Sequence, residues 1–199
     1  MESLDELLRQ AEAAHGHLCA GQVLGVRMAL LGLARLGIAD PRGADRKRLV
    51  TYVEIDRCAT DAIALVTGCR LGKRALKFRD WGKMAATFVE LGSGRALRIV
   101  ALEDTRELAE QLYPHLETKS RRQLQAYREL PDAQLFHEQW VRVNIDPADL
   151  PGRSGDRVVC QRCREGVNFG RLAVVNGESL CLTCARPELR YWKPAAPEE

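Results

Sequence analysis

Leu4, Leu7, Leu8 and Ala11 recur at the three- and four-residue spacing of an amphipathic helix, which predicts a helix over residues 3–14. Gly16 suits its C-terminal cap. Leu24, Met28 and Leu31 repeat the period and predict a second helix over residues 20–36, stopped at Gly37. Its small residues, Ala20, Gly21, Gly25, Ala29 and Gly32, would let another backbone approach closely. After the loop "GIADPRGADRK", "RLVTYVEID" reads as a strand, with Val50, Tyr52 and Val53 favouring extended backbone. "CATDAIALVTG" reads as a short buried helix ending at Gly68. "RALKFRD", "MAATFVELG" and "ALRIVALE" read as three further strands, with Gly92-Ser93-Gly94 as a turn. From Asp104 to about Arg128 the period is helical again, interrupted at Pro114. "LPDAQLFHEQWVRVNI" ends in a strand. This order predicts an α+β fold, a sheet with helices grouped on one side. "DPADLPGRSGDR", residues 146–157, holds two prolines, two glycines and several charges, and reads as a linker. We expect a core domain over residues 1–148 and a small second domain over 149–199.

The second domain is dominated by "CQRCREGVNFGRLAVVNGESLCLTC". Cys160, Cys163, Cys181 and Cys184 form C-x2-C-x17-C-x2-C, a spacing that marks a zinc site. Four thiolates satisfy tetrahedral zinc and leave no open position, as in structural sites. Between the pairs, "VNFGRLAVVNGES" predicts a hairpin turning at Asn176-Gly177, and the second pair opens a short helix towards Leu189. Knuckle, hairpin, knuckle and helix make a treble-clef or zinc-ribbon-like finger. A segment this small builds little core alone, so metal binding would supply its folding energy. A thioredoxin-like pair is disfavoured, because no strand–helix–strand pattern surrounds either CxxC.

The core domain holds a second group of chemistry-bearing residues, in "HGHLCAG" (residues 15–21). Cys19 precedes the second predicted helix and Cys58 the third, where the partial positive charge of a helix N-terminus favours thiolate. His17 lies two residues before Cys19. Thiolate and imidazole together suit zinc, iron or copper, or equally a nucleophile with its base. Buried small thiols and an exposed helix-capping His-Gly-His turn fit the same residues. Cys69 lies beyond the far end of the third helix, roughly 15 Å from Cys58 at 1.5 Å per residue, so the two do not share one metal within a chain. His115 and His137 read as surface residues, Asp80 as a turn acid near a glycine, and Lys73, Arg74 and Lys77 as a solvated face.

Composition narrows the classes. The chain is 46% hydrophobic and 29% charged, with a net charge of +3, an ordinary globular balance. Residues 1–150 carry 22 Lys+Arg against 21 Asp+Glu, and residues 151–199 carry 8 against 6. That gives little electrostatic reason to expect nucleic acid, although "KSRRQLQAYR" (Lys119 to Arg128) is a modest basic helix. The N-terminus has no basic start or long apolar run, and "VLGVRMALLGLARLG" is too short and charged for a membrane span. A cytoplasmic location is expected, in which seven cysteines are thiols or ligands rather than disulfides.

"HGHLCAGQVLGVRMA", "VEIDRCATDAIALVTGCRLGKRAL" and "RDWGKMAATF", followed by the four-cysteine module, resemble the FmdE family of formylmethanofuran dehydrogenase operons over nearly the whole chain. The resemblance implies an FmdE-like α+β core with a C-terminal treble-clef zinc finger, and a homodimer. It also implies that His17, Cys19, Cys58, Cys69 and Asp80 line a shared cleft. It supplies no reaction, and the chain shows neither a pterin-binding pattern nor a ferredoxin cysteine run. Three functions follow. The first is an accessory protein for a molybdenum- or tungsten-type redox enzyme, holding a core metal through His17, Cys19 and Cys58 beside the structural zinc. The second is an enzyme of formyl, acyl or sulfur transfer, with Cys58 or Cys19 as nucleophile, His17 as base and Asp80 as orienting acid. The third is a zinc-finger regulatory or interaction protein.

Overall fold

The computed structural model describes residues 2–152 and 155–193. The chain separates into two compact units, residues 1–145 and 146–199, dividing at the start of the predicted linker.

In the first unit, helix α1 (Leu4–His15) starts at Ser3, whose hydroxyl accepts a hydrogen bond from Glu6 N, and stops at Gly16 in the left-handed region (φ 92°). Helix α2 (Ala20–Leu36) follows after a four-residue connection. Strand β1 (Leu49–Val53) leads into α3 (Cys58–Thr67), which returns the chain to β2 (Leu76–Phe78). This crossover makes β1 and β2 the sheet's parallel pair. Strands β3 (Ala85–Glu90) and β4 (Ala96–Ala101) form a hairpin, and helices α4 (Thr105–Leu112), α5 (Lys119–Glu129) and α6 (Asp132–Leu135) precede β5 (Phe136–Val141). The sheet order is β2-β1-β3-β4-β5. Two details depart from the predicted elements: Leu71–Lys73 forms a 3-10 turn before β2, and the helical stretch from Asp104 breaks into two helices around Pro114.

Helix α2 is the hub of this unit, packed on α1, α3 and α5 and on β3 and β4. Its glycines explain how. A Cβ at Gly25 would lie 2.8 Å from Ala59 Cα and on Ala59's carbonyl oxygen, so α2 and α3 touch backbone to backbone there. At Gly32 the missing side chain makes room for the Phe88 ring from β3. Leu49, Val53, Phe88, Leu97 and Ile99 face these helices across a single apolar core. On the sheet's other face, Val50, Val89 and Ala96 are covered by Val141, Val143 and Ile145.

In the second unit, β6 (Arg157–Val159) pairs with β7 (Gly166–Asn168), and β8 (Leu172–Val175) with β9 (Glu178–Cys181). The β8–β9 turn has Asn176 (φ 52°) and Gly177 (φ 82°) both left-handed, as a tight primed hairpin turn requires. Helix α7 (Leu182–Ala185) ends before Pro187, and the chain continues as a 3-10 turn to Leu189. The buried cluster of this unit consists of Cys160, Leu180, Cys181 and Cys184.

Candidate metal centres

The α1–α2 connection is short because Gly16 turns the chain back at once. His15 is the last residue of α1 and Cys19 caps α2. The buried Gln22 fixes the loop from inside: its side-chain oxygen accepts from Cys19 N at 3.4 Å, and its amide nitrogen donates to Ala11 O at 3.1 Å. One ring nitrogen of His15, one of His17 and the Cys19 sulfur all lie within 4.8 Å of one another. Ligand atoms around a tetrahedral zinc lie about 3.5 Å apart at ordinary bond lengths, so small side-chain rotations close this set on an ion. His17 is exposed and free to make them, whereas His15 and Cys19 are half-buried.

Helix α3 brings the other side. Cys58 is its first residue, and Asp61 follows in its first turn. Asp61 Oδ2 is 3.4 Å from His15 Nδ1, the kind of carboxylate–imidazole contact that orients a ligating histidine. Gly21 separates the two cysteines: a Cβ there would be 3.5 Å from Cys58 Cβ and 3.8 Å from Cys19 Sγ. Burial pushes the Cys58 thiol above its ordinary pKa, and its hydrogen bond to Cys19 pushes the same way. The helix N-terminus at Cys58 therefore does not outweigh its desolvation.

The other residues singled out in the sequence sit elsewhere. Cys69 is buried against β1, accepting from Thr51 Oγ1 at 3.5 Å and donating to Leu49 O at 3.7 Å, and burial raises its pKa. It follows the C-terminal end of α3, away from Cys58. Asp80 is exposed in the turn after β2. Trp81 N and Lys83 N bond Glu54 O, so this turn lies along the segment that leads from β1 to Cys58. Asp80 joins no ligand cluster among the described residues. His115 and His137 are exposed. His15 and Asp61 are the residues that sequence reasoning left out. Their signals were the i, i+2 pairing with His17, and the i, i+3 spacing from Cys58 that puts Asp61 on the same helix face.

In the second unit the sulfurs of Cys160, Cys163, Cys181 and Cys184 also gather within 4.8 Å. Cys181 N donates to Cys160 Sγ at 3.3 Å, and Arg190 Nη2 lies 3.6 Å from Cys184 Sγ. Backbone N–H groups of Cys181 and Cys163 hold the Cys160 thiol down at about 6. Cys163 is driven the other way: the Glu165 N–H opposes the rise, but burial and hydrogen bonds to Cys160, Cys184 and Cys181 push it up to about 12. Four thiols this close cannot all ionise beside one another without a cation. An all-sulfur, closed donor set fits a borderline-soft divalent ion.

These features describe a protein with an α+β core bearing a His/Cys cluster, joined to a four-cysteine metal module. Residues 14–137, well over half the chain, match the family model described as FmdE, molybdenum formylmethanofuran dehydrogenase operon, and the chain belongs to this family. The crystal structure of an FmdE-like protein of tungsten formylmethanofuran dehydrogenase from Syntrophus aciditrophicus is similar over 95% of both chains, with a TM-score of 0.64 at 24% identity. That likeness shows the fold. A probable S-adenosyl-L-methionine-binding protein of Archaeoglobus fulgidus is 35% identical over 97 residues, 48% of this chain. Those residues make up 26% of that protein, so the chain spans about a quarter of this curated relative. Among the described residues, no helix is long and apolar enough to cross a membrane.

Proposed function

We propose that this chain is a metal-handling accessory protein of a molybdenum- or tungsten-type redox enzyme system. It holds one metal ion in the core through His15, His17 and Cys19, with Cys58 beside them, and a structural zinc at the four tail cysteines. The observation that carries this reading is the convergence of His15, His17 and Cys19 within 4.8 Å on the half-open connection between two helices. Three protein donors leave a coordination position open, which suits an ion that is passed on or meets a further ligand. Cys58 is placed to take that position or to release it. Asp61 holds the His15 ring, and Gln22 holds the loop. Family membership supports an association with a formylmethanofuran dehydrogenase-type enzyme. The chain works as a cytoplasmic homodimer in this reading.

The reading as a thiol-transfer enzyme has weaker support. Burial keeps Cys58 protonated, and Asp80 is not gathered with the histidines.

The test is elemental analysis of the full chain purified anaerobically, beside Cys19→Ser. The wild type should carry metal at both clusters, and Cys19→Ser should keep the tail's metal alone. Full core occupancy in Cys19→Ser would sink the proposal.

A further inference from the structure

Cys19 and Cys58 stand at the starts of α2 and α3, two helices that run side by side from the same end of the unit. Position 21 of α2 meets Cys58 and Ala59, and position 25 meets Ala59 and Ala62. The glycine contact at Gly25 locks this register, so the two cysteines cannot drift apart without unpacking the helices. Between them Gly21 carries no side chain, and Cys58 Cβ and Cys19 Sγ fall in ordinary contact distance of the space it leaves. A disulfide needs its Cβ atoms about 3.8 Å apart, a close approach that only such a gap permits here. Both thiols are half-exposed, whereas Cys69 is buried and hydrogen-bonded on both sides. A small oxidant therefore reaches this pair and not Cys69.

We infer that Cys19 and Cys58 form a redox-active dithiol that closes to an intramolecular disulfide when oxidised by a low-molecular-weight disulfide. One cysteine, as thiolate, attacks a sulfur of the oxidant, whose S–S bond breaks and releases one small thiol. The neighbouring cysteine loses its proton and attacks the mixed disulfide, forming the Cys19–Cys58 bond and releasing the second small thiol. Two protons and two electrons leave the protein and reduce one molecule of oxidant to two thiols. Excess small thiol runs the steps backwards. If the proposed core metal site holds, closure takes Cys19 out of the ligand set and releases the metal, so the same pair gates the site.

The experiment uses the full chain, reduced anaerobically and then exposed to oxidised glutathione, with and without a zinc chelator. After alkylation, peptides are mapped by mass spectrometry under non-reducing conditions. The expected result is a Cys19–Cys58 cross-link, loss of both thiols from alkylation, and an unmodified Cys69. In Cys58→Ser, a stable glutathione adduct should remain on Cys19, because the resolving thiol is gone. Stable adducts on both cysteines of the wild type, or two free thiols in both arms, would overturn the inference. Metal content is read on the same samples. A cross-link in a core that never held metal leaves the dithiol standing and removes the metal site. A metal-loaded core that never cross-links in either arm does the reverse.

Discussion

In the tail unit, Cys160, Cys181 and Cys184 are the buried core, with Leu180 as their apolar companion. In the first unit, the core runs through α1, α2, α3 and the sheet, and is complete without Cys19 and Cys58, which are half-exposed on its rim. Cysteine therefore does two different jobs in one chain. Where the ligands replace a core, folding and metal binding are one event, and no ligand is dispensable. Where the ligands decorate a finished core, the metal can come and go while the fold persists. A site built in the second way is suited to handling an ion, and one built in the first way only to keeping it.

The largest effect expected is in the tail. Cys181→Ser, or a strong chelator, removes a metal whose binding is worth on the order of 10 kcal/mol in small zinc modules. Residues beyond 145 should become protease-sensitive while the first unit survives as a resistant fragment. Limited proteolysis checks this, and a tail that stays resistant without metal breaks the contrast.

Next comes the packing that the first unit relies on instead. Gly25→Ala drives a methyl group into the Ala59 backbone and should cost about 3 kcal/mol, since overfilling a packed contact cannot relax against main chain. Urea unfolding of the first unit measures it. An unchanged midpoint would mean that α2 and α3 are not held as described.

Acid separates the two units in a third way. The Ser93 hydroxyl and backbone N–H, the Gly92 N–H and Arg48 hold the Glu90 carboxyl down at about 2, against an ordinary 4.5. A folded-state pKa below the unfolded one gives stability that is present above pH 4.5 and is lost as pH falls towards 2. The first unit should weaken across that window, and Glu90→Gln should flatten the loss. The tail should release its metal at higher pH, because thiolates must be reprotonated. Thermal melts against pH, with metal release followed in parallel, check both.

The smallest effect belongs to the core cluster. Cys19→Ser should shift the stability of the metal-free first unit by less than about 1 kcal/mol, as half-exposed substitutions away from the core do. A large loss would make Cys19 structural and erase the difference between the units.

The elements were legible in the sequence wherever the signal is local. The apolar period marked α1 and α2 nearly residue for residue, Gly68 ended α3, and Asn176-Gly177 marked the tail hairpin. The tail's ligand set was equally plain, because its geometry is carried by spacing within one short segment. The core cluster was legible only in part. His17 and Cys19 share a loop, but the part played by His15 and Asp61 depends on α3 packing against the α1–α2 connection, which no local pattern reports. Cys69 and Asp80 show the same limit from the other side. Each stands in a motif block with Cys58 or near it in sequence, yet one lies inside the apolar core and the other on an exposed turn.

Anomalous diffraction at the metal edge, on crystals of the full chain grown anaerobically, tests the central claim most directly. The account predicts two peaks, one among His15, His17 and Cys19 and one among the four tail sulfurs. A peak in the tail alone, with metal in excess, would contradict it.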